Sequence, residues 1–296
     1  MDASDFLASQ FEEHRTHLKA VAYRMLGSLA DADDAIQEAW LRLSRTDRDA
    51  IDNLGGWLTT VVGRVCLDML RARTARREDP LEPHLPDPVV SGKDGDDPEQ
   101  QALIADSVGL ALLVVLESLS PAERLAFVLH DLFAVPFEQI APIVNRSPVT
   151  AKKLASRARQ RVRGRVPPAD PDPNRQEQVV DAFLTAARGG DYLALLAILD
   201  PEVVMRIDTG ALAKGGMLTF NGAAAVAGQA PAFQRFSARY ALEPVKVNGA
   251  PGFLCTQDGQ LRSVASLTVT AGKIAAIDIL SDSDRIAELE ITVPGD

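Results

Sequence analysis

Apolar residues recur at helical spacing through the first half of the chain and in short β-type runs through its last third. Leu18, Val21, Ala22, Met25 and Leu26 mark a helix that ends near Gly27. Ala32, Ala35, Ile36, Ala39, Trp40 and Leu43 follow i, i+3, i+4, i+7, i+8, i+11, the stripe of a second helix. Asp31, Asp33 and Asp34 stand at its start, where carboxylates favour the positive end of the helix dipole. A third helix is expected from about Leu54, with Trp57, Leu58, Val61, Val62, Val65 and Met69 as its buried stripe. Ser120-Pro121-Ala122-Glu123 has the form of a capped helix start, with Ser before the helix, Pro at its first position and Glu three residues after the cap. That helix should reach about Asp131 or Phe133, and Pro136 breaks the chain. Phe137, Ile140, Ala141 and Val144 predict a short amphipathic helix, which Pro142 should bend or shorten. Asn145-Arg146 makes a tight turn, since Asn tolerates the left-handed conformation. Ser147-Pro148 caps the next helix, whose inward stripe is Ala151, Leu154, Ala155, Ala158 and Val162.

The pattern then changes. Val179, Val180, Phe183, Leu184 and Ala187 mark a helix closed by Gly189-Gly190, and Asp191 caps another from Tyr192 to Leu199. β-type runs follow at Val203–Ile207, Arg239–Val247, Gly252–Cys255, Ser263–Val269 and Lys273–Leu280, with Gly and Asn-Gly punctuation between several of them. Helices followed by a curved meander predict an α+β cone. Two proline clusters separate these parts: Pro80, Pro83, Pro86, Pro88 and Pro98, then Pro167, Pro168, Pro171 and Pro173. Proline lacks an N–H and clashes in helix interiors, so both stretches should be non-helical connectors. The expected organisation is a helical module at 1–79, a linker at 80–98, a helix-turn-helix module at 99–166, a second linker at 167–173 and the α+β module at 174–296.

The net charge of −10, taken over the whole chain, argues against a nonspecific nucleic-acid or membrane binder. Its distribution reverses that inference. Residues 102–166 hold 9 basic and 5 acidic side chains, and Arg146 to Arg165 contains eight basic residues and no acidic one. Residues 81–101 hold 1 basic and 6 acidic, and residues 167–296 hold 10 and 16. A segregated basic block marks either an interaction surface or a solvated helix face, and context decides between them.

That context is a short helix, a tight turn and a second helix loaded with Lys152, Lys153, Ser156, Arg157, Arg159 and Arg163, the geometry with which proteins enter a DNA groove. A generic αα-hairpin is the alternative. Near its C-terminal end the third helix carries Arg64, Asp68 and Arg71 on one face, followed by Arg73, Arg76 and Arg77. Cations there suit the helix dipole, yet no glutamate interleaves them before Glu78. Trp57 is either a stacking platform for bases or, from its place in the stripe, a core residue. Cys66 and Cys255 have no Cys or His neighbour at metal-ligand spacing, so no zinc site, disulfide framework or cofactor is expected. The longest nearly unbroken apolar run, Val108 to Leu116, is far short of the roughly 20 residues a membrane span needs. The acidic start Met1-Asp2-Ala3-Ser4-Asp5 lacks the order of a signal peptide, so a cytoplasmic protein with no membrane partner is expected.

Two motif sets carry a resemblance. His14-Arg15, Leu18, Ala22-Tyr23-Arg24-Met25-Leu26-Gly27-Ser28 and Ala30-Asp31-Ala32-Asp33-Asp34-Ala35-Ile36-Gln37-Glu38-Ala39-Trp40-Leu41-Arg42 resemble region 2 of bacterial sigma factors. The run from Leu54 through Arg64, Asp68 and Arg71 to Arg76-Arg77-Glu78 continues it. Leu119 to Asp131 and Arg146-Ser147-Pro148 resemble region 4. The chain resembles extracytoplasmic-function (ECF) sigma factors of the SigJ/ECF41 type, which add a SnoaL-like domain of the nuclear-transport-factor-2-like (NTF2-like) superfamily. The fold this implies is multidomain: two all-α sigma domains, a region 2 helical bundle and a region 4 helix-turn-helix, followed by an α+β NTF2-like cone.

The resemblance also implies roles. Asp33, Asp34, Gln37, Glu38, Leu41 and Arg42 match the helix that grips the coiled coil of the largest subunit of core RNA polymerase. Arg64, Asp68, Arg71, Arg73 and Arg76 match the part that engages the −10 promoter element, where a base is taken from the opened strand. The helix from Pro148, with Lys152, Lys153, Ser156, Arg157 and Arg159, would read the −35 element as a duplex. The family's linker motif matches His84-Leu85-Pro86-Asp87-Pro88-Val89, with His in place of Trp. Its Asp-Gly-Gly-Gly-Lys motif is loosely matched by Asp208-Thr209-Gly210, with Lys214 displaced. Its Asn-Pro-Asp-Lys-Leu motif is matched by Asp282-Ser283-Asp284-Arg285-Ile286. These positions imply a fused regulatory domain that contacts the sigma domains. Cone folds can also bind small molecules or act as enzymes. All four histidines precede this module, leaving Asp208, Tyr240 and Asp278 as candidate pocket groups, so binding without catalysis is the expectation for any ligand in the cone pocket.

Overall fold

The structure, a computed structural model, describes residues 3–47, 51–75, 84–91, 109–210, 216–289 and 291. Arg76 and Lys214 lie outside the described residues. The described residues fall into two compact units, the first holding 3–47, 51–75 and 112–165, the second 84–91, 109–111, 166–210, 216–289 and 291.

The first unit is all helical. Its elements are α1 (Ala3–Leu26), α2 (Leu29–Leu43) and α3 (Leu54–Ala75), then α4 (Leu110–Glu117), which belongs to this unit from Leu112 on and leads into α5 (Pro121–Phe127), α6 (Phe137–Val144) and α7 (Pro148–Arg163). Gly27, at φ 73°, ends α1 in the left-handed region that glycine enters without a Cβ clash. Ser28 then caps α2, its Oγ accepting from the Asp31 N–H at 3.4 Å. Most of the expected stripe is buried: Ala32, Ala35, Ile36, Ala39 and Leu43 are core, as are Leu58, Val62 and Val65 of α3, while Trp40, Val61 and Met69 are half-buried. Trp57 is half-buried.

Ser120 and Glu123 close a complete capping box at the start of α5. Beyond Phe127 the chain widens into a π-helical turn, Val128–Leu132, where the sequence predicts continuous α-helix. Ala134 follows at φ 54°, and the Val135 N–H returns to the Leu129 carbonyl at 2.8 Å. Pro142 does not shorten α6, which runs to Val144 with Pro142 inside it. Proline there removes only the donor to the carbonyl four residues back, on an exposed side of a helix about to end. Asn145 takes the left-handed conformation (φ 54°, ψ 49°) and Ser147 caps α7. The two helical modules pack on one another across α3. A Cβ placed on Gly63 would lie 3.3 Å from Leu129 Cδ1, so glycine sets this close approach. The Arg124 guanidinium donates to the Met25 carbonyl at 2.9 Å, and Arg24 lies 5.0 Å from the Phe133 ring centroid.

The second unit opens with β1 (Val90–Ser91), followed after the first unit's helices by α8 (Pro173–Gly189) and α9 (Tyr192–Ile198). Asp172 and Asp191 cap these helices, and Gly190 ends α8 at φ 65°. Then come β2 (Leu199–Asp208), β3 (Met217–Asn221), α10 (Ala223–Ala227), α11 (Ala230–Ser237), β4 (Ala241–Val247), β5 (Ala250–Gln257), β6 (Gln260–Thr270), β7 (Lys273–Leu280) and α12 (Ser283–Glu288). All strands join one seven-stranded sheet in the order β1-β4-β5-β6-β7-β2-β3. It is mixed, not a pure meander, because β2 pairs parallel with β7. Val180, Phe183, Leu184 and Leu195 from the helices meet Met205, Phe253, Cys255, Ala265, Leu267 and Ile277 on one sheet face. Strand alternation sends Arg206, Asp208 and Asp278 to the opposite face. No helix among the described residues is long and apolar enough to cross a membrane.

Candidate nucleic-acid interface and linker clamp

The stripe that buries one side of α2 turns Asp33, Asp34, Gln37, Glu38, Leu41 and Arg42 to the other. Asp34 and Gln37 are exposed, and Leu41 is an exposed large apolar residue. Asp33 pairs with Lys19 at 3.0 Å, and Glu38 holds Arg42 at 2.8 Å. Beside them, between α1 and α2, lies a cavity of about 350 Å³ with Phe11, Ile36 and Trp40 in its wall and Asp33, Asp34 and Gln37 among its lining. Phe11 and Trp40 meet edge to face at 5.2 Å between centroids.

On α3, Arg64, Asp68 and Arg71 form an exposed row, with Arg71 3.6 Å from Asp68. Arg73 stands apart from that row. Its guanidinium is held by the Asp31 carboxylate and reaches the Leu26 carbonyl, tying α3 to the start of α2.

On α7 the buried residues are Ala151, Ala155 and Ala158, and the small side chains bring the helix close to α5 and α6. Lys152, Lys153, Ser156 and Arg157 are exposed, as is Pro148 at the first helical position. Arg159 differs, since its Nε donates to Asp131 at 2.5 Å. Arg161 donates to Glu123 at 2.8 Å, and Arg157 lies 3.9 Å from the same carboxylate. Glu123 therefore caps α5 and anchors α7 at once. Part of the basic block thus holds the helix-turn-helix together, while Lys152 and Lys153 carry no ion pair among the described residues.

The described residues of the three motifs matched around Leu85, Asp208 and Arg285 meet in the second unit. Asp208, at the end of β2, accepts the Leu85 N–H at 2.7 Å and Arg285 Nη1 at 2.8 Å on the same oxygen. Arg285 Nη2 donates to the Leu85 carbonyl at 2.6 Å and to Asp87 at 2.5 Å. Asp208 Oδ1 accepts the Gly210 N–H at 3.1 Å. Gly210 has φ 69°, and a Cβ on it would stand 2.3 Å from Asp282 Oδ2. Asp282 caps α12 and so sets where Arg285 points, while Asp284 is exposed and takes no part in the clamp. Leu85, Pro86 and Pro88 are buried. Further along, Val89 and Asn248 exchange two hydrogen bonds, 3.1 and 2.8 Å, and β1 joins the edge of β4. The segment expected as a bare connector is thus held as an edge strand. Asn248 is the residue sequence reasoning missed. Its signal was Asn-Gly punctuation, which marked a turn but not a partner.

The candidate pocket groups do not converge. Asp208 is engaged in the clamp. Asp278 is fully buried and binds Arg206 through 2.6 and 3.3 Å contacts; burial pushes its carboxyl up and the guanidinium opposes that. Tyr240 stacks on Phe236 at 4.1 Å between centroids. Both cysteines are buried free thiols, and burial raises each, Cys255 to about 11. His17 stands edge-on to Phe133 at 5.1 Å, and burial, then His14 and Arg24, lower its pKa.

A helical bundle with a polar outer face, a helix-turn-helix with a basic one, and a sheet unit that captures the segment between them define a multidomain DNA-binding protein of the transcription-initiation class. Residues 10–76 match the family model for Sigma-70 region 2, and residues 109–162 match that for Sigma-70, region 4. The chain belongs to the ECF RNA polymerase sigma factors. It is similar to the probable ECF RNA polymerase sigma factor SigI of Mycobacterium tuberculosis, 34% identical over 303 residues and 100% of both chains. It is also similar to the ECF RNA polymerase sigma factor SigJ of that organism, 45% identical over 205 residues, which are 68% of this chain and 64% of SigJ. The crystal structure of M. tuberculosis SigJ superposes with a TM-score of 0.76 at 34% identity, over 96% of this chain and 100% of that one.

Proposed function

We propose that this sigma factor binds core RNA polymerase through the outer face of α2 and directs it to promoters read at two elements. Asp33, Asp34, Gln37, Glu38, Leu41 and Arg42 meet the coiled coil of the largest polymerase subunit. Asp34 and Gln37 are exposed beside an aromatic cavity, which suits a partner helix bearing long basic side chains. Arg64, Asp68 and Arg71 face the −10 element, and Arg73 positions α3 by holding Asp31. Pro148, Lys152, Lys153, Ser156 and Arg157 meet the −35 duplex, and Arg159 steadies the helix that carries them. The observation that carries this reading is the exposed basic face of α7, whose Lys152 and Lys153 are left without intramolecular carboxylates among the described residues.

The second unit regulates by binding rather than by chemistry. Arg285 and Asp208 clamp Leu85, Asp87 and the flanking prolines, the segment that joins the two sigma regions. Any change that frees this clamp changes the freedom of the sigma regions. A ligand in the cone would act through the same unit. The protein works where the polymerase works, in the cytoplasm.

The test is co-elution with core polymerase in size-exclusion chromatography. Wild type should elute with core, and Asp34→Arg with Gln37→Arg should not, at unchanged thermal stability. Equal co-elution of both proteins would overturn the placement of the polymerase face.

A further inference from the structure

The outward side of α7 has a structure that its charge count hides. At about 100° per residue, Val149, Lys153, Ser156 and Gln160 fall within about 60° of arc, opposite Ala151, Ala155 and Ala158. Lys152 and Arg163 flank this line on one side and Arg157 on the other. The centre of the face is therefore largely uncharged, with cations at its edges, as a helix needs when its midline meets base edges and its flanks meet phosphates. Val149 occupies the end of that line, at the second helical position, which is the end such helices push deepest into the groove. It is 65% exposed, the most exposed large apolar side chain on α7. β-branching in a helix disfavours it slightly, so neither burial nor helix propensity accounts for valine at this exposed position. The charged residues nearest it in sequence, Arg146, Lys152 and Lys153, are all cations.

We propose that Val149 is a specificity-determining residue that packs on the 5-methyl group of a thymine in the −35 duplex. Thymine alone among the four bases presents a methyl group in the major groove. A stiff, short, apolar side chain fixed by the Ser147 cap is suited to that contact and to no hydrogen-bonded base edge. The inference rests on the reading that α7 enters the −35 duplex.

Promoter binding by the reconstituted holoenzyme, with each −35 thymine replaced singly by deoxyuridine, tests both. Wild type should lose about four-fold in affinity at one position, the worth of one buried methyl. Val149→Ala, which keeps the cap and favours helix, should bind the thymine promoter about four-fold more weakly. It should lose nothing further on the uracil promoter. Independent, additive losses, or a wild type indifferent to every uracil, would overturn the assignment of Val149. If binding is also indifferent to Lys152→Ala and to scrambling of the −35 base pairs, the reading of α7 itself falls with it.

Discussion

Arg285 joins Asp208, Asp87 and the Leu85 carbonyl through one guanidinium. Arg285→Ala would leave the Asp208 carboxylate, 3% exposed, without its cation. The expected cost is about 2–4 kcal/mol of second-unit stability by chemical denaturation, with faster proteolysis at 84–91. Arg285→Lys should recover only part of this, because a point charge does not reproduce the fork. Gly210→Ala should fail for a different reason, since the added methyl enters the space of Asp282 at a left-handed φ. It should lower the melting temperature where Gly189→Ala, with open space around it, does not. Asp208, Asp87 and Arg285 were legible in the sequence as members of three motifs. That they are one cluster was not, because the pairing of Leu85 with Asp208 spans 123 positions and no local pattern encodes it.

At the scale of elements, periodicity was sufficient wherever a helix buries a continuous stripe. α2, α3, α7, α8 and α9 stand where their apolar spacing and caps predict. It failed where an element is short and its partner distant. β1 is two residues long in a proline-rich stretch, and β3, on the exposed edge of the sheet, buries little. α10 is almost all alanine and valine, with no polar face to set a phase. The close crossing at Gly63 was equally hidden. Gly63→Leu should overpack α3 against Leu129 and Ile143 and cost the first unit about 1–3 kcal/mol. His17 adds a pH dependence to the same unit. Its folded-state pKa lies below the ordinary value of 6.5, so the unfolded chain takes up the proton first as pH falls. Stability should therefore be full above about pH 7 and decline below 6.5, and His17→Gln should flatten the plot of Tm against pH. Within α7, the division of labour separates two outcomes. Lys152→Ala should weaken promoter binding and reduce the salt slope by about 1 without affecting stability. Arg159→Ala should lower stability through the loss of Asp131.

The whole molecule is acidic, with a net charge of −10, yet its family is defined by two DNA-binding regions. The charge is resolved by its distribution, eight basic residues and no acidic one from Arg146 to Arg165 within a chain otherwise in acidic excess. Free protein should therefore bind promoter DNA weakly, and more weakly as salt rises, with polymerase supplying the rest of the binding. What the sequence left unread at this scale is that the linker between the sigma regions belongs, by its contacts, to the third module. The proposed regulation and promoter reading would thereby be joined through one segment of chain. The most direct test of the account is run-off transcription by core polymerase reconstituted with this protein. The account predicts a promoter-dependent transcript that requires the protein and is lost with Lys152→Ala and Lys153→Ala together. No promoter-dependent transcript from any cognate template, or one indifferent to that pair of substitutions, would contradict it.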